Sequence, residues 1–341
     1  MKKLVLSMVA ALAVGGVAPA LAADLPVKAA PAPAVVAAPS PWDIAFGAAG
    51  MNDYVFRGIT QSNHKPSVAA YVEPRYNVTK DFQLYVGTAG ESISFTNHAA
   101  AEIDFYGGAR WTLGPVVLDG GFWYYYYPGG QCIGDVVAPT FCPLVNGMPN
   151  VIANGNTLKG DVSFWEAYFK PTWNINDQWA VGLNEFYSPS FLNSGAWGNY
   201  FSGTVKFTAP STIPFGPFGW YISGEFGRQW LGTTDNFYGI PAGTQIASGG
   251  VTTAVYAAGI PYPSYNTWNV GLGLTWKQFT LDLRYSDTNL SKGDCSAFTG
   301  DFTASGTTNV TAINPLGLGS NWCGATFIAK LSVDLTAANL K

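Results

Sequence analysis

From Trp42 almost to the C-terminus, apolar residues recur at every second position in segments of roughly ten residues, the side-chain period of a β-strand. Trp268, Val270, Leu272, Leu274 and Trp276 alternate with Thr267, Asn269, Gly271, Gly273 and Thr275. Val68, Ala70 and Val72 oppose Tyr71, Glu73 and Arg75, and Phe327, Ala329, Leu331, Val333 and Leu335 oppose Thr326, Lys330, Ser332 and Asp334. About twelve such segments are expected. Two folds accept the pattern. A sandwich hides the apolar face against a second sheet and shows water a charged one, whereas a membrane barrel turns the apolar face to lipid and the other into a lumen. Only 11% of the residues are charged, against roughly a quarter in an ordinary soluble domain. The polar face is mostly Gly, Ser, Thr and Tyr, so the expectation is an all-β, transmembrane, antiparallel up-and-down β-barrel of about 12 strands.

Connection lengths support this independently. Short links at 77–80, 114–115, 174–177, 209–216 and 277–278 strictly alternate with long ones at 58–66, 92–99, 128–160, 189–199, 231–264 and 287–323. Outer-membrane barrels keep short turns in the periplasm and long loops outside. With the N-terminus in the periplasm, the C-terminus returns there and the strand number is even. Trp42, Trp111, Trp179, Trp268, Trp276 and Phe279 fall near segment ends, as an interfacial girdle requires.

The N-terminus predicts export. Lys2 and Lys3 precede an apolar stretch and the small-residue site Ala20-Leu21-Ala22, giving a signal peptide over 1–22, a Pro/Ala-rich periplasmic linker over 23–41 and a barrel over 42–336. No later window holds some 18 consecutive apolar residues. The formal charge of −4, or −6 without Lys2 and Lys3, argues against nucleic acid as a partner. Two histidines, His64 and His98, lie in loops without a nucleophile motif, and no cofactor, catalytic residue or metal site is expected.

All four cysteines sit in predicted external loops. Of three connectivities the local one, Cys132 with Cys142 and Cys295 with Cys323, is favoured in an oxidising compartment.

The stretch NDYVFRGITQSN at Asn52–Asn63, YSPSF at Tyr187–Phe191, GRQW at Gly227–Trp230 and LDLRYSDT at Leu281–Thr288 together resemble the TorF family of proteobacterial outer-membrane porins. ADLPVKA at Ala23–Ala29 is similar to the mature start of many alphaproteobacterial outer-membrane proteins. The resemblance implies a porin-like barrel. Two departures stand out: the external loops are long, and the chain closes on Ala337–Lys341 rather than a terminal aromatic, which makes Leu335 the expected end of the last strand.

Parity assigns Asp43, Asp53, Arg57, Glu73, Arg75, Glu102, Asp104, Arg110, Asp119, Glu166, Lys170, Lys206, Glu225, Asp282, Arg284, Lys330 and Asp334 to the lumen, ten acids to seven bases. The acid excess would favour cations unless the charges pair with one another. Asp53 and Arg57, placed toward the external end of the first strand, are expected either to narrow the channel or to close the barrel seam as an ion pair. Gly58 is expected to permit a sharp exit into the loop. The run Trp123-Tyr124-Tyr125-Tyr126-Tyr127 reads as an external girdle or a sugar-stacking surface. The expected function is a Gram-negative outer-membrane channel for passive diffusion of small hydrophilic solutes or ions. The alternative is a surface adhesion or structural barrel acting through its bridged loops. Outer-membrane lipid and small hydrophilic solutes are the expected partners; the oligomeric state stays open.

Overall fold

The computed structural model describes residues 41–134, 142–148, 150–152, 154–239, 247–248, 251–252, 259–308, 310–311 and 313–340. The expected signal peptide and nearly all of the linker lie outside the described residues. Twelve antiparallel strands form one closed barrel, each paired with its sequence neighbour. They are β1 (Trp42–Met51), β2 (Ser67–Asn77), β3 (Phe82–Glu91), β4 (Glu102–Leu113), β5 (Val116–Tyr126), β6 (Phe164–Asn174), β7 (Trp179–Ser188), β8 (Gly198–Thr208), β9 (Gly219–Leu231), β10 (Tyr265–Trp276), β11 (Phe279–Thr288) and β12 (Thr326–Thr336). Closure pairs β1 with β12 from Ala45↔Thr336 to Met51↔Lys330. Past Met51 the Asn52 side chain continues that ladder, its Nδ2 donating to Phe327 O at 2.9 Å and its Oδ1 accepting from Ala329 N at 2.6 Å. An uncovered edge would leave backbone groups unpaired in hydrocarbon, so this seam is what allows the sheet to sit in a membrane.

The two faces separate by parity. Outward Val68, Val86, Phe122 and Phe327 are 62–75% exposed, whereas inward Tyr85, Tyr106, Tyr125 and Tyr168 are at most 5% exposed. The lipid-facing register is continuous across neighbours, as in Ile222↔Leu272↔Leu283. Glycines appear on the inner face where large rings must cross. Gly108 and Gly121 are register partners, and a Cβ on either would lie 2.7–2.8 Å from the Tyr85 or Tyr168 hydroxyl. The chain has two barrel ends of different character. Short links join β2–β3, β4–β5, β6–β7, β8–β9 and β10–β11, and both strand termini lie at that end. β12 runs to Thr336 and a short 3₁₀ turn over Ala337–Leu340 follows, one residue beyond the expected end at Leu335.

At the other end the loops turn inward. The loop after β1 carries a two-residue hairpin, Val55–Phe56 with Ile59–Thr60, and the loop after β11 carries helix α1 (Lys292–Thr299). The Ser291 hydroxyl caps α1 by accepting from Asp294 N, and left-handed Gly300 ends it. Both expected disulfides are present. Cys132–Cys142 has a Cα separation of 5.4 Å, and Cys295–Cys323, of 5.9 Å, ties α1 to the residues just before β12.

Outward Leu272→Arg should cost roughly 2–4 kcal/mol and impair insertion, whereas Thr275→Arg, on the inner face of the same strand, should leave folding largely intact. Heat-modifiable gel mobility after folding into lipid vesicles measures both; equal losses would contradict the face assignment. Gly271, on the same face, makes a poor control, because a Cβ there would sit 2.9 Å from the Arg284 guanidinium.

Candidate functional site

Charge placed inside a narrow tube must be compensated there, and the lumen shows three ionic clusters plus an acidic group. The first lies on the β2–β6 wall. Glu73, fully buried, accepts from Arg75 Nε at 2.7 Å and from Arg110 Nη1 at 2.8 Å. Arg110 also donates from Nε to Asp119 at 3.1 Å, and Lys170 Nζ stands 3.9 Å from the same carboxylate. Asp43 joins through Arg75 at 3.8 Å. Tyr85 donates to Asp119 and shares a hydroxyl contact with Tyr168.

The second cluster lies on the β8–β11 wall. Arg284 donates to both Asp282 oxygens at 2.9–3.0 Å and to Ser223 at 2.9 Å. Asn269 donates to Glu225 at 3.1 Å, and the Tyr200 hydroxyl donates to the same carboxylate at 2.9 Å. Lys206 rests over the Tyr221 ring, 4.1 Å from its centroid. Asp334 accepts from Tyr71 at 3.0 Å, while Lys330 and Asp334 line a small cavity with Tyr54 and Glu91.

The third cluster spans the mouth. The sequence reading carried the first strand on through Asp53 and Arg57 and paired or opposed those two charges. The structure corrects this: β1 ends at Met51, and each residue has other partners. Arg57 crosses the lumen and binds Glu166 with two bonds of 2.7 and 2.9 Å, and donates to Gln229 at 2.8 Å. Its guanidinium is flanked by Phe56 and Tyr200, each 4.5 Å to centroid, and by Phe186 at 5.0 Å. Arg57 adopts φ +48 and Gly58 φ +80, and a Cβ at Gly58 would lie 2.3 Å from Thr288. The expected sharp turn at Gly58 is thus real, although it belongs to a loop folded into the mouth. Asp53 instead organises its own loop. It accepts from Thr60 at 2.5 Å, Ser62 at 3.1 Å and Thr326 at 3.3 Å, and faces His64 Nδ1 at 2.7 Å.

Glu102 and Asp104 lie near the mouth on β4, with Glu91 beside them on β3. Glu91 is absent from the parity assignment above, although it continues the inner-face register of its strand. The alternation Gln83, Tyr85, Gly87, Ala89, Glu91 would have found it. Gln229 and Tyr54 were also missed, since uncharged polar residues on an inner face carry no distinct signal.

Above these charges the loops close an aromatic roof. Phe56, Phe95, Phe191, Tyr262, Phe298 and Trp322 meet wall residues Tyr127, Phe164 and Tyr265 around a cavity of about 70 Å³. The run at 123–127 splits by parity. Trp123, Tyr125 and Tyr127 are buried in the lumen, and only Tyr124 and Tyr126, each 41% exposed, form the expected outer girdle.

The comparisons with known proteins stand beside this geometry. Residues 36–142 match a family model described as a bacterial protein of unknown function (Gcw_chp), less than half of the chain, and this does not confirm the TorF resemblance. No curated protein matches. Among solved structures, an outer-membrane channel from Pseudomonas putida F1 aligns at TM-score 0.38 and 10% identity, over 88% of this chain and 97% of that one. The NanC porin aligns at 0.38 and 9%, over 86% and 100%. A Pseudomonas aeruginosa FadL homologue aligns at 0.37 and 10%, over 86% and 89%. At these scores the likeness carries no functional weight; the barrel's own two faces do. A closed barrel with an apolar outer band and a polar interior is an outer-membrane protein of a Gram-negative cell.

The Asp53 carboxylate beside Nδ1 holds the His64 imidazole above its ordinary value of 6.5, partial burial opposing it. A group raised in the folded state lends stability that is complete below its unfolded value and lost as pH rises through the folded one. The loop anchored by Asp53 should therefore loosen on the alkaline side of pH 6.5. Hydrogen exchange of residues 59–66 at pH 6 and pH 8 measures this, and His64→Gln should flatten the difference.

Proposed function

We propose that this protein is a porin-like channel for small hydrophilic solutes or ions, constricted by its ionic clusters and covered at its outer mouth by its own loops. The observation that carries the reading is the run of charge along the lumen, from Asp43 and Arg75 near the short-turn end to Arg57 and Glu166 under the roof. A barrel filled only for rigidity would gain as much or more from well-packed apolar side chains, because desolvating ion pairs is costly. Twelve strands stand between the side-chain-filled case of eight and the open aqueous pore of sixteen or more, so a constricted passage is the expected regime. The mature-chain resemblance to TorF porins points the same way.

A second reading, a surface barrel that engages a partner, draws on one feature. In the hairpin next to Cys142, Leu144, Val145 and Met148 are 54–68% exposed. Removing 129–156 separates the two. A channel keeps or increases its conductance, whereas an adhesive barrel loses cell or matrix binding with conductance unchanged at zero.

Planar-bilayer recording tests the channel directly. Wild-type protein should show small, cation-preferring steps. Replacing Cys295 and Cys323 by Ser frees α1 from the barrel rim and should raise conductance or add flicker. Arg110→Ala should widen the passage and strengthen cation preference, since it removes a positive charge beside Glu73 and Asp119. A protein that folds in detergent yet never conducts, in wild type or in either variant, would overturn the reading.

A further inference from the structure

Three carboxylates meet under the roof with no base in ion-pair contact, Lys330 standing off across the small cavity it shares with Glu91. Glu91 ends β3 and Glu102 opens β4 directly opposite it, with Asp104 one inward position further along. Like charges directly opposite on neighbouring strands repel, and here they do so while no more than 2% exposed. Oxygens of the three all lie within 4.8 Å of one another. Glu102 accepts from the Tyr54 hydroxyl at 2.6 Å and from the Tyr127 hydroxyl at 2.9 Å. Neither oxygen of Glu91 nor of Asp104 accepts a hydrogen bond of ordinary geometry, although the Trp123 indole N–H lies beside Asp104. Among the described residues no lysine, arginine or histidine forms an ion pair with any of the three, although the other lumen clusters are dense with such pairs. Four buried carboxylate oxygens without an ordinary hydrogen bond, on side chains that bring one oxygen each to within 4.8 Å of the others and of Glu102, point to a missing positive charge.

We propose that Glu91, Glu102 and Asp104 bind a hard divalent cation, with calcium the best match. The donor set is all oxygen, which excludes preference for soft metals. Calcium takes carboxylate oxygens at about 2.3–2.6 Å, so two ligands of one ion stand at most about 4.6–5.2 Å apart, and the three oxygens here, all within 4.8 Å of one another, fit around one ion. An adjoining cavity of about 20 Å³, lined by Glu91 and Tyr54 and on its far side by Lys330 and Asp334, leaves room for water to complete the coordination. Bound there, the ion joins β3 to β4 at the foot of the loop that connects them and, through Tyr54 and Tyr127, reaches the first and third external loops. The site thereby fixes the mouth whether or not the barrel conducts.

The test uses the full-length protein folded in detergent, stripped with EDTA and dialysed. Added calcium should raise the midpoint of heat-modifiable gel mobility, by about 5–10 °C at a hundredfold excess over Kd. Terbium should give sensitised luminescence from the nearby Trp123 and Tyr127, displaced by calcium. The Glu91→Gln, Asp104→Asn double variant should lose both responses, and Glu225→Gln, on β9 at the other wall, should keep them. If the double variant fails to fold, terbium luminescence of Asp104→Asn alone decides, with at least a tenfold weaker affinity expected. No calcium response in stripped wild type, or a response that survives Asp104→Asn undiminished, overturns the proposal. So does a wild type that ignores calcium while the double variant is more heat-stable, the mark of carboxyls that merely share protons.

Discussion

Hydrocarbon on the outside is the constraint from which the rest follows. It requires every backbone group of the sheet to be paired, which closes β1 on β12, and it drives most charged side chains of the strands into a tube too narrow to keep them hydrated. Their compensation then dictates the interior. Glu73 is bracketed by two arginines, and Asp282 is gripped by Arg284 from both oxygens. Large tyrosines supply hydroxyl donors to what remains, and glycines such as Gly108 and Gly121 give those rings space to cross. The composition of the polar face, rich in Gly and Tyr and poor in charge, is thus a packing solution and not only a mark of a wet lumen.

The fold was legible because a membrane barrel writes itself in one dimension. Period two, strand length and the strict alternation of short and long links are all local properties, and they carried strand count, closure and the orientation of almost every strand residue. The pairing of the cysteines was legible for the same reason, each bridge being closed within one loop. What failed did so where the chain leaves the sheet. Parity continued through Asp53 and Arg57 as if β1 went on, but the chain turns at those residues, and their partners lie across the barrel in Glu166 or nearby in a loop residue, His64. Long-range partners of a loop side chain leave no trace in local periodicity.

The aromatic run 123–127 shows the opposite error. Read as a block it suggests a belt; read residue by residue it obeys the same alternation as its neighbours, with three rings inward and two outward. Tyr125 then donates to Glu166 at 3.2 Å, and Tyr127 donates to Glu102, so these rings bear on the charged lumen more than on lipid. An aromatic's hydroxyl end makes it a poor guide to which solvent its ring faces.

Arg57 joins the two halves of the molecule. Its backbone sits in the left-handed region, a conformation that disfavours a side chain, and it persists because the surroundings over-determine it. One guanidinium satisfies a buried carboxylate of the wall, donates to Gln229, the register partner of Tyr200 on the next strand, and is packed between rings of both loop and barrel. Breaking such a buried pair leaves Glu166 uncompensated, at about 3–5 kcal/mol. The inward fold of the first loop is therefore not an independent lid laid on a finished pore. It supplies the charge that one wall lacks, so closing the mouth and balancing the lumen are a single act of folding.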